Sequence, residues 1–507
     1  MTSLHPQRAA RWGWFLVIWG APWSHAAMSV GTAWVALCAF YAWVTSRHDD
    51  KVIAKHGLRS PFVWLSALLG WQGLSLLWSE NVEAGLHMLS IQGAMLVLAL
   101  SWRKVPLFQA ETARTWVFRS ATLALAGVLL WGCWQTAEGV SLAPRDWTPW
   151  MSHIRLSMFA ALAMVWGAHD QPKSHFSAFA LLWAGFTAVT GSFTSALLLP
   201  LSAIWAWHTS ASNSARRGIA WGVGTLGVIA VAAVALWLQP VPLPVPAEEL
   251  PRTTPLGNPY THHPDRILSE GGHRIYLFLC ENEWEGAWSQ VSTQPLSESN
   301  AWGYQTRDRL LRFLTSKGWP KDAEHILKLT PEEVKAIEGG ATHARPASGL
   351  SLRLRETRRE WEIWQEGGNA SGHALLQRME HWKAGIAAVE RSPWLGQGVG
   401  GVDAAIQKSY NLLDSRLARQ HRHRAHMQHL TWAVSGGLVA VVLWLVFGWA
   451  WWHQIGRSTR MALWGGVLVA VSCLFEDTWE TQAGVVVSFL ALFAAGTPPG
   501  YSEDLSS

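Results

Sequence analysis

"HRHRAHMQHLTWAVSGGLVAVVLWLVFGWAWW", residues 421 to 452, joins the densest run of titratable groups in the chain to one of its most apolar segments. From Thr431 on there is no charge, and an apolar helix of this length crosses the roughly 30 Å hydrocarbon core of a bilayer. His421, His423, His426 and His429, interleaved with Arg422 and Arg424, stand at its edge. Three readings suit such a cluster: a metal site, a lipid-headgroup clamp, or a catalytic base beside anion-binding partners. The histidine spacing matches no defined zinc motif.

The rest of the chain has the same character. Half of its 507 residues are hydrophobic, 15% are charged, and there are 36 tryptophans, the composition of a membrane protein rich in interfacial aromatic rings. A net charge of +5 with basic residues gathered in particular loops speaks of membrane orientation and excludes a nucleic-acid partner. The four cysteines form neither a disulfide framework nor a CxxC pair.

Apolar stretches predict an all-α polytopic protein of about 12 transmembrane helices. They fall near 12–28, 29–46, 61–79, 87–102, 116–137, 154–169, 176–191, 195–209, 218–239, 431–452, 461–475 and 482–496. Lysine and arginine test the layout, because cytoplasmic loops retain positive charge. Arg47, Lys51, Lys55 and Arg59 share one connection; Arg103, Lys104, Arg114 and Arg119 share another; Lys173, then Arg216 with Arg217, then Arg457 with Arg460 mark three more. The intervening "SENVEAGLH" and "EDTWETQ" carry neither residue. Alternation places both termini in the cytoplasm and the long segment before residue 431 outside it. In a bacterial inner membrane that side is the periplasm.

Three parts follow: an N-terminal bundle over 1–239, a large, mostly helical periplasmic loop domain over 240–430, and three final spans with a tail over 431–507. The loop domain opens on the proline-rich "QPVPLPVPAEELP". In "TPEEVKAIEGG", Thr330 caps a helix, Pro331 opens its first turn, Glu333 closes a capping box and Gly339 follows its end. "LRLRETRREWEIW" and "HALLQRMEHWKAGIAAVERS" also read as helices, the second with Leu375, Met379, Trp382 and Ile386 at helical spacing. Arg378 and Trp382 share a face of it. A turn with Gly396, Gly398, Gly400 and Gly401 follows Pro393; its glycines serve either close ligand approach or plain turn geometry.

"RMEHWKAGIAAVERSPWLGQGVGG" followed by "RAHMQHLTWAVSGGL" resembles the paired signature of the O-antigen ligase family, which includes related polymerases of lipid-linked oligosaccharides. Arg378, Trp382, Pro393, Gly396, Gly398 and Gly400 match its first part; His426, Leu430, Gly437 and Leu438 match its second. Met427 stands where asparagine is usual. "LLRFLTSKG" and "SCLFEDTWETQAGVVVSF" are similar to a branch of the same family, as is the plan of about twelve spans with one large loop before the last three.

The resemblance implies a membrane glycosyltransferase. Such an enzyme moves a glycan from undecaprenyl pyrophosphate to a lipid or glycan acceptor hydroxyl, with inversion and without metal or other cofactor. Arginines would grip the diphosphate through charge-assisted hydrogen bonds and stabilise charge growing on the leaving group. His426, as a base, would take the proton of the acceptor hydroxyl, a poor nucleophile. Arg378 is the second catalytic candidate. Where the family carries an arginine after "TGS", this chain has Phe193; Arg155, at the start of the sixth span, is the substitute, with Arg422 and Arg424 as further pyrophosphate ligands. An intramembrane arginine is costly unless paired or facing water, so Arg155 either lines a cavity or snorkels to the interface. Trp382 and the three signature glycines would support the site. Glu476, Asp477 and Glu480 either orient the arginines from 416 to 424 or form a solvated loop. A polymerase of the same family differs only in acceptor, and a flippase or transporter suits the span count as well.

Overall fold

The computed structural model describes residues 6–45, 57–107, 110–138, 147, 148, 150–210, 236–299, 305–347, 349–415 and 417–494, with scattered positions between 214 and 233. The chain is mostly helical. In order come α1 (Pro6–Gly20), α2 (His25–Thr45), α3 (Pro61–Leu74), α4 (Val82–Lys104), α5 (Ala110–Ala137), α6 (His153–Asp170), α7 (Lys173–Thr190) and α8 (Phe193–Ser210). A two-stranded hairpin, β1 (Ser269–Glu270) and β2 (His273–Arg274), precedes α9 (Trp284–Val291), α10 (Thr306–Ser316), α11 (Ala323–Leu327), α12 (Pro331–Glu338) and α13 (Gly349–Gln365). The last are α14 (Ala374–Glu390), α15 (Val402–Leu412), α16 (Gln428–Trp451), α17 (Arg460–Phe475) and α18 (Gln482–Phe489).

Four helical stretches among the described residues are long and apolar enough to cross a membrane: His25–Thr45, Val82–Lys104, Glu111–Ala137 and Gln428–Gly456. Arg460–Phe475 and Gln482–Ala494 are shorter apolar helices. Each of the other expected spans coincides with a helix, except that the ninth, near 218–239, lies mostly outside the described residues, as do Arg47, Lys51, Lys55, Arg216 and Arg217. The first two helices break at 21–24 rather than at residue 28, because the chain turns back there on hydrogen bonds from Trp23 and Ser24 to the Gly20 carbonyl.

Contacts divide the chain into two compact units. The larger joins Met1–Gly222 to Gln377–Ser507, and the smaller is Val223–Leu376. Residues 377–430, assigned from sequence to the loop domain, therefore belong to the same unit as the N-terminal and C-terminal helices. The reason is the glycine turn. At Gly437 the backbone of α16 leaves helical geometry with φ 66° and ψ −167°, a conformation open essentially to glycine alone. The freed carbonyls of Val434 and Ser435 accept from the N–H groups of Gln397 at 2.7 Å and Gly398 at 2.8 Å, while Leu438 donates to Pro393 at 2.8 Å. Trp71 of α3 satisfies the Gly436 carbonyl at 2.7 Å. On its other side the turn donates from Val399 and Gly400 to the hydroxyls of Ser75 and Ser79. A Cβ on Gly400 would stand 1.8 Å from the Asn81 carbonyl oxygen, and one on Gly437 2.1 Å from that of Trp394. The turn is thus spliced into a helix interior, which apolar surroundings tolerate only when every backbone group finds a partner.

α6 is the centre of the larger unit. Every residue from Leu156 to Gly167 is buried, and it packs against α5, α7, α8, α17 and α18. A helix covered on all sides holds its first turn in place, and that turn carries Arg155.

The smaller unit is built of short helices around Trp284, Trp288, Leu310, Phe313, Leu314, Ile326, Val334 and Ile337. The expected capping box forms between Thr330 and Glu333 at the start of α12. Gly339 ends that helix with φ −71°, and the positive φ falls one residue later, at Gly340. Arg309, almost wholly buried, donates to the carbonyls of Ile337 and Glu338, completing the C-terminal end of the same helix.

Candidate active site

The segment before α16 is stitched to the loop between α17 and α18. Asp477 accepts from the backbone N–H of His426 at 3.1 Å and from the Thr431 hydroxyl at 2.6 Å. Gln428 accepts from the Trp479 N–H at 2.7 Å. These bonds hold His426 at φ 49°, a left-handed conformation that costs free energy for a residue with a Cβ, so surrounding contacts must over-determine it.

Glu476 joins the two principal candidates. Its Oε1 lies 3.1 Å from Nη2 of Arg378, and its Oε2 lies 4.0 Å from Nδ1 of His426. Arg378 also donates to the Phe475 carbonyl at 2.9 Å, at the C-terminus of α17 where cations are favoured. Residues 48 apart in sequence therefore flank one carboxylate. Two of the five guanidinium N–H groups are used in these bonds, leaving donors for a ligand. Glu476 faces Nδ1 of His426 at a distance of charge attraction rather than of a hydrogen bond.

Arg155 feels the same loop, since Glu476 and Asp477 are the carboxylates that attract it. Its Nε is buried with no hydrogen-bond partner. The side chain lines a cavity of about 290 Å³ together with Ser24, His25, Thr148, Ser152 and Thr481. None of Arg378, His426 and Glu476 is among the residues that line this cavity. The side chain of Phe193 lies outside the described residues.

Arg422 and Arg424 are placed differently from expectation, because all three nitrogens of each are already engaged. Arg422 donates to the Leu417 carbonyl, the Asn411 amide oxygen and the Ser415 carbonyl at 2.8–3.0 Å, beneath the Tyr410 ring. Arg424 donates to both oxygens of Asp403 and to Glu480. These bonds hold a loop and use three of the five N–H groups of each arginine, one more than Arg378 has engaged. Burial alone would make the Arg424 proton easier to lose, but Asp403 and Glu480 outweigh it and fix the charge. Burial also lifts the Glu480 carboxyl above its ordinary range, the Asp477 charge adding to the effect and Arg424 opposing it. The acidic loop thus serves three different partners: Glu480 takes Arg424, Glu476 takes Arg378, and Asp477 takes the backbone at His426. Arg416 lies outside the described residues.

Gly396, Gly398 and Gly400 make the splice described above, so plain geometry accounts for them. On α14 the sequence periodicity picked the less buried face. Ile386 is 51% exposed and Trp382 half-buried, its indole N–H without a partner, whereas His381, Ala384, Gly385 and Ala388 are buried. A Cβ on Gly385 would come within 2.7 Å of Leu430, so small residues let α14 lie against the start of α16.

Sequence reasoning missed His381. Its ring centre lies 5.4 Å from that of His426 and 5.9 Å from that of His423. Nε2 sits 3.0 Å from the His421 carbonyl and Nδ1 has no partner, which describes a neutral ring donating from Nε2. Burial, with repulsion from His426, His423 and Arg378, lowers its pKa to about 4 against the pull of that carbonyl. The available signal was its position three residues after Arg378, one helical turn on. No known protein family and no curated protein matches the chain.

Proposed function

We propose that this protein is a glycosyltransferase of the bacterial inner membrane, acting on its periplasmic side. It would transfer a glycan from undecaprenyl pyrophosphate to an acceptor hydroxyl on a lipid or glycan, in the manner of an O-antigen ligase. One observation carries the reading: Arg378 and His426 flank a single carboxylate, Glu476, with the half-buried cation Arg155 attracted to the same loop.

The chemistry follows from that arrangement. The acceptor oxygen forms its bond to the anomeric carbon as His426 takes the hydroxyl proton at Nε2. Glu476, 4.0 Å from Nδ1, would stabilise the imidazolium charge that forms. The bond from the anomeric carbon to the diphosphate oxygen breaks, and the leaving group departs with the electron pair, its growing charge met by Arg378 and Arg155. Because the diphosphate leaves as an anion, no second acid has to protonate it.

Purified protein in detergent, supplied with a lipid-pyrophosphate glycan and an acceptor, should form product without two compartments, which a carrier would not do. His426→Ala should lower turnover by about 10²–10⁴-fold, the usual contribution of a positioned base. Arg378→Ala should abolish transfer as well, with helical content retained by circular dichroism. Near-normal turnover in the histidine variant would remove the base from the mechanism.

A further inference from the structure

The smaller unit contains a cleft of about 710 Å³ between the tip of the β1–β2 hairpin, the end of α10, the loop at 343–345 and α13. This is within the range of small-ligand sites. Its walls carry five cations, Lys317, Arg345, Arg355, Arg358 and Arg359, against one carboxylate, Glu270. Some of these charges are already paired. Lys317 holds Glu333 at 2.5 Å, and Arg358 holds Glu362 at 3.1 Å. Glu270, buried, is bonded at 2.8 Å by Arg312 and stands 4.0 Å from Arg359.

What remains is a surplus of guanidinium donors. Nη1 of Arg359 is buried with no hydrogen-bond partner. Arg355 donates once, to the Arg345 carbonyl at 3.2 Å. The field is felt nearby: burial and then the Arg355 charge lower the pKa of His343, which lines the same cleft. Concentrated like charge opposes folding, and a buried donor without an acceptor adds to that cost; an anion seated among these groups would offset both. Guanidinium forks match phosphate oxygens two at a time. Trp237 supplies an aromatic wall, beside Arg358, against which a sugar ring can lie. The hairpin tip has φ 63° at Gly271 and 89° at Gly272, and a Cβ at Gly271 would stand 2.8 Å from the Ser316 carbonyl oxygen, so this wall must stay bare backbone.

We propose that this cleft binds a phosphorylated saccharide bearing two or more anionic groups, through Arg345, Arg355 and Arg359. The assignment is independent of the transfer reaction, since none of these residues belongs to that site. A lipid phosphate shares the chemistry, so the test separates the two sources.

The full-length protein in nanodiscs of zwitterionic lipid is titrated calorimetrically with a hexose bisphosphate, the monophosphate and the free hexose. Saturable binding is expected for the bisphosphate, weaker binding for the monophosphate and none for the hexose, with affinity falling as salt rises. Arg345→Gln with Arg355→Gln should weaken the bisphosphate by about tenfold or more, while thermal unfolding shows the variant folded. Absence of saturable binding to the wild-type protein, or equal binding by the double variant, overturns the proposal. Displacement of the sugar by anionic lipid in the nanodisc also overturns it, by reassigning the cleft to a headgroup.

Discussion

Two arginine clusters in this protein look alike as sequence and differ in what their guanidinium groups hold. In the loop before α16, Arg422 and Arg424 each bond through all three nitrogens to acceptors of the protein itself. Around the cleft of the smaller unit, Arg359 keeps a buried nitrogen without an acceptor and Arg355 makes a single bond to a carbonyl. The first cluster is bonded within the protein through every nitrogen, and the second keeps donors unbonded. Density of charge along a chain therefore does not identify an anion site; the decisive quantity is how many donors remain after internal pairing.

The largest effect of a substitution at neutral pH is expected where all three nitrogens of a guanidinium bond carboxylates of the protein. Arg424→Gln leaves the largely buried Glu480 without its cation and Asp403 without its partner. Asp403 is exposed and the Glu480 carboxyl can take up a proton once unpaired, so the loss should be about 1–3 kcal/mol, that of a charged hydrogen-bond partner left unsatisfied. Thermal unfolding in detergent measures it. A loss below about 0.5 kcal/mol, the range of an unremarkable surface change, would mean that Arg424 is not structural and would restore it as a ligand-binding candidate.

The same loop depends on His381, and its contribution depends on pH. In the folded protein this imidazole titrates at about 4 instead of 6.5. The unfolded chain therefore binds the proton more readily, and stability falls as pH drops from 6.5 towards 4, by about 3 kcal/mol at the lower end. The physical cause is burial of the ring, with repulsion from His426, His423 and Arg378 adding to it. Unfolding followed across this window should show the slope, and His381→Gln should flatten it; an unchanged slope in that variant would assign the pH dependence to another group.

Much of the helical architecture was legible because it rests on local rules. Apolar length marks α2, α4, α5 and α16, and the Thr330–Glu333 capping box marks α12. Pairings that cross the chain were not. Nothing local tells that Glu476 bonds Arg378, almost a hundred residues earlier, or that Arg424 reaches back to Asp403 and forward to Glu480. The glycine turn shows the same division. Its position was visible, but its use was decided by Gly437, whose positive φ opens α16 to receive it. On α14 the period of large apolar residues pointed to Trp382 and Ile386, whereas helix contact selected small residues, Gly385 above all, so that hydrophobicity and burial parted. His426 and Arg378 could be nominated from their motif, while His381 required seeing which rings stand together.

The smallest stability effect should come from the cleft, and its sign carries the comparison. Arg345 and Arg355 hold few internal acceptors, so Arg345→Gln with Arg355→Gln should change the unfolding free energy by no more than about 0.5 kcal/mol, as for surface sites without special partners. The change should favour the folded state, because two like charges leave a crowded cationic wall that also lowers the pKa of His343. Raising salt screens the wild-type repulsion and should narrow the difference between the two proteins. A destabilisation as large as that of Arg424→Gln would show that these arginines also hold the fold, and the distinction between spent and available guanidinium groups would fail at the point where it was drawn most sharply.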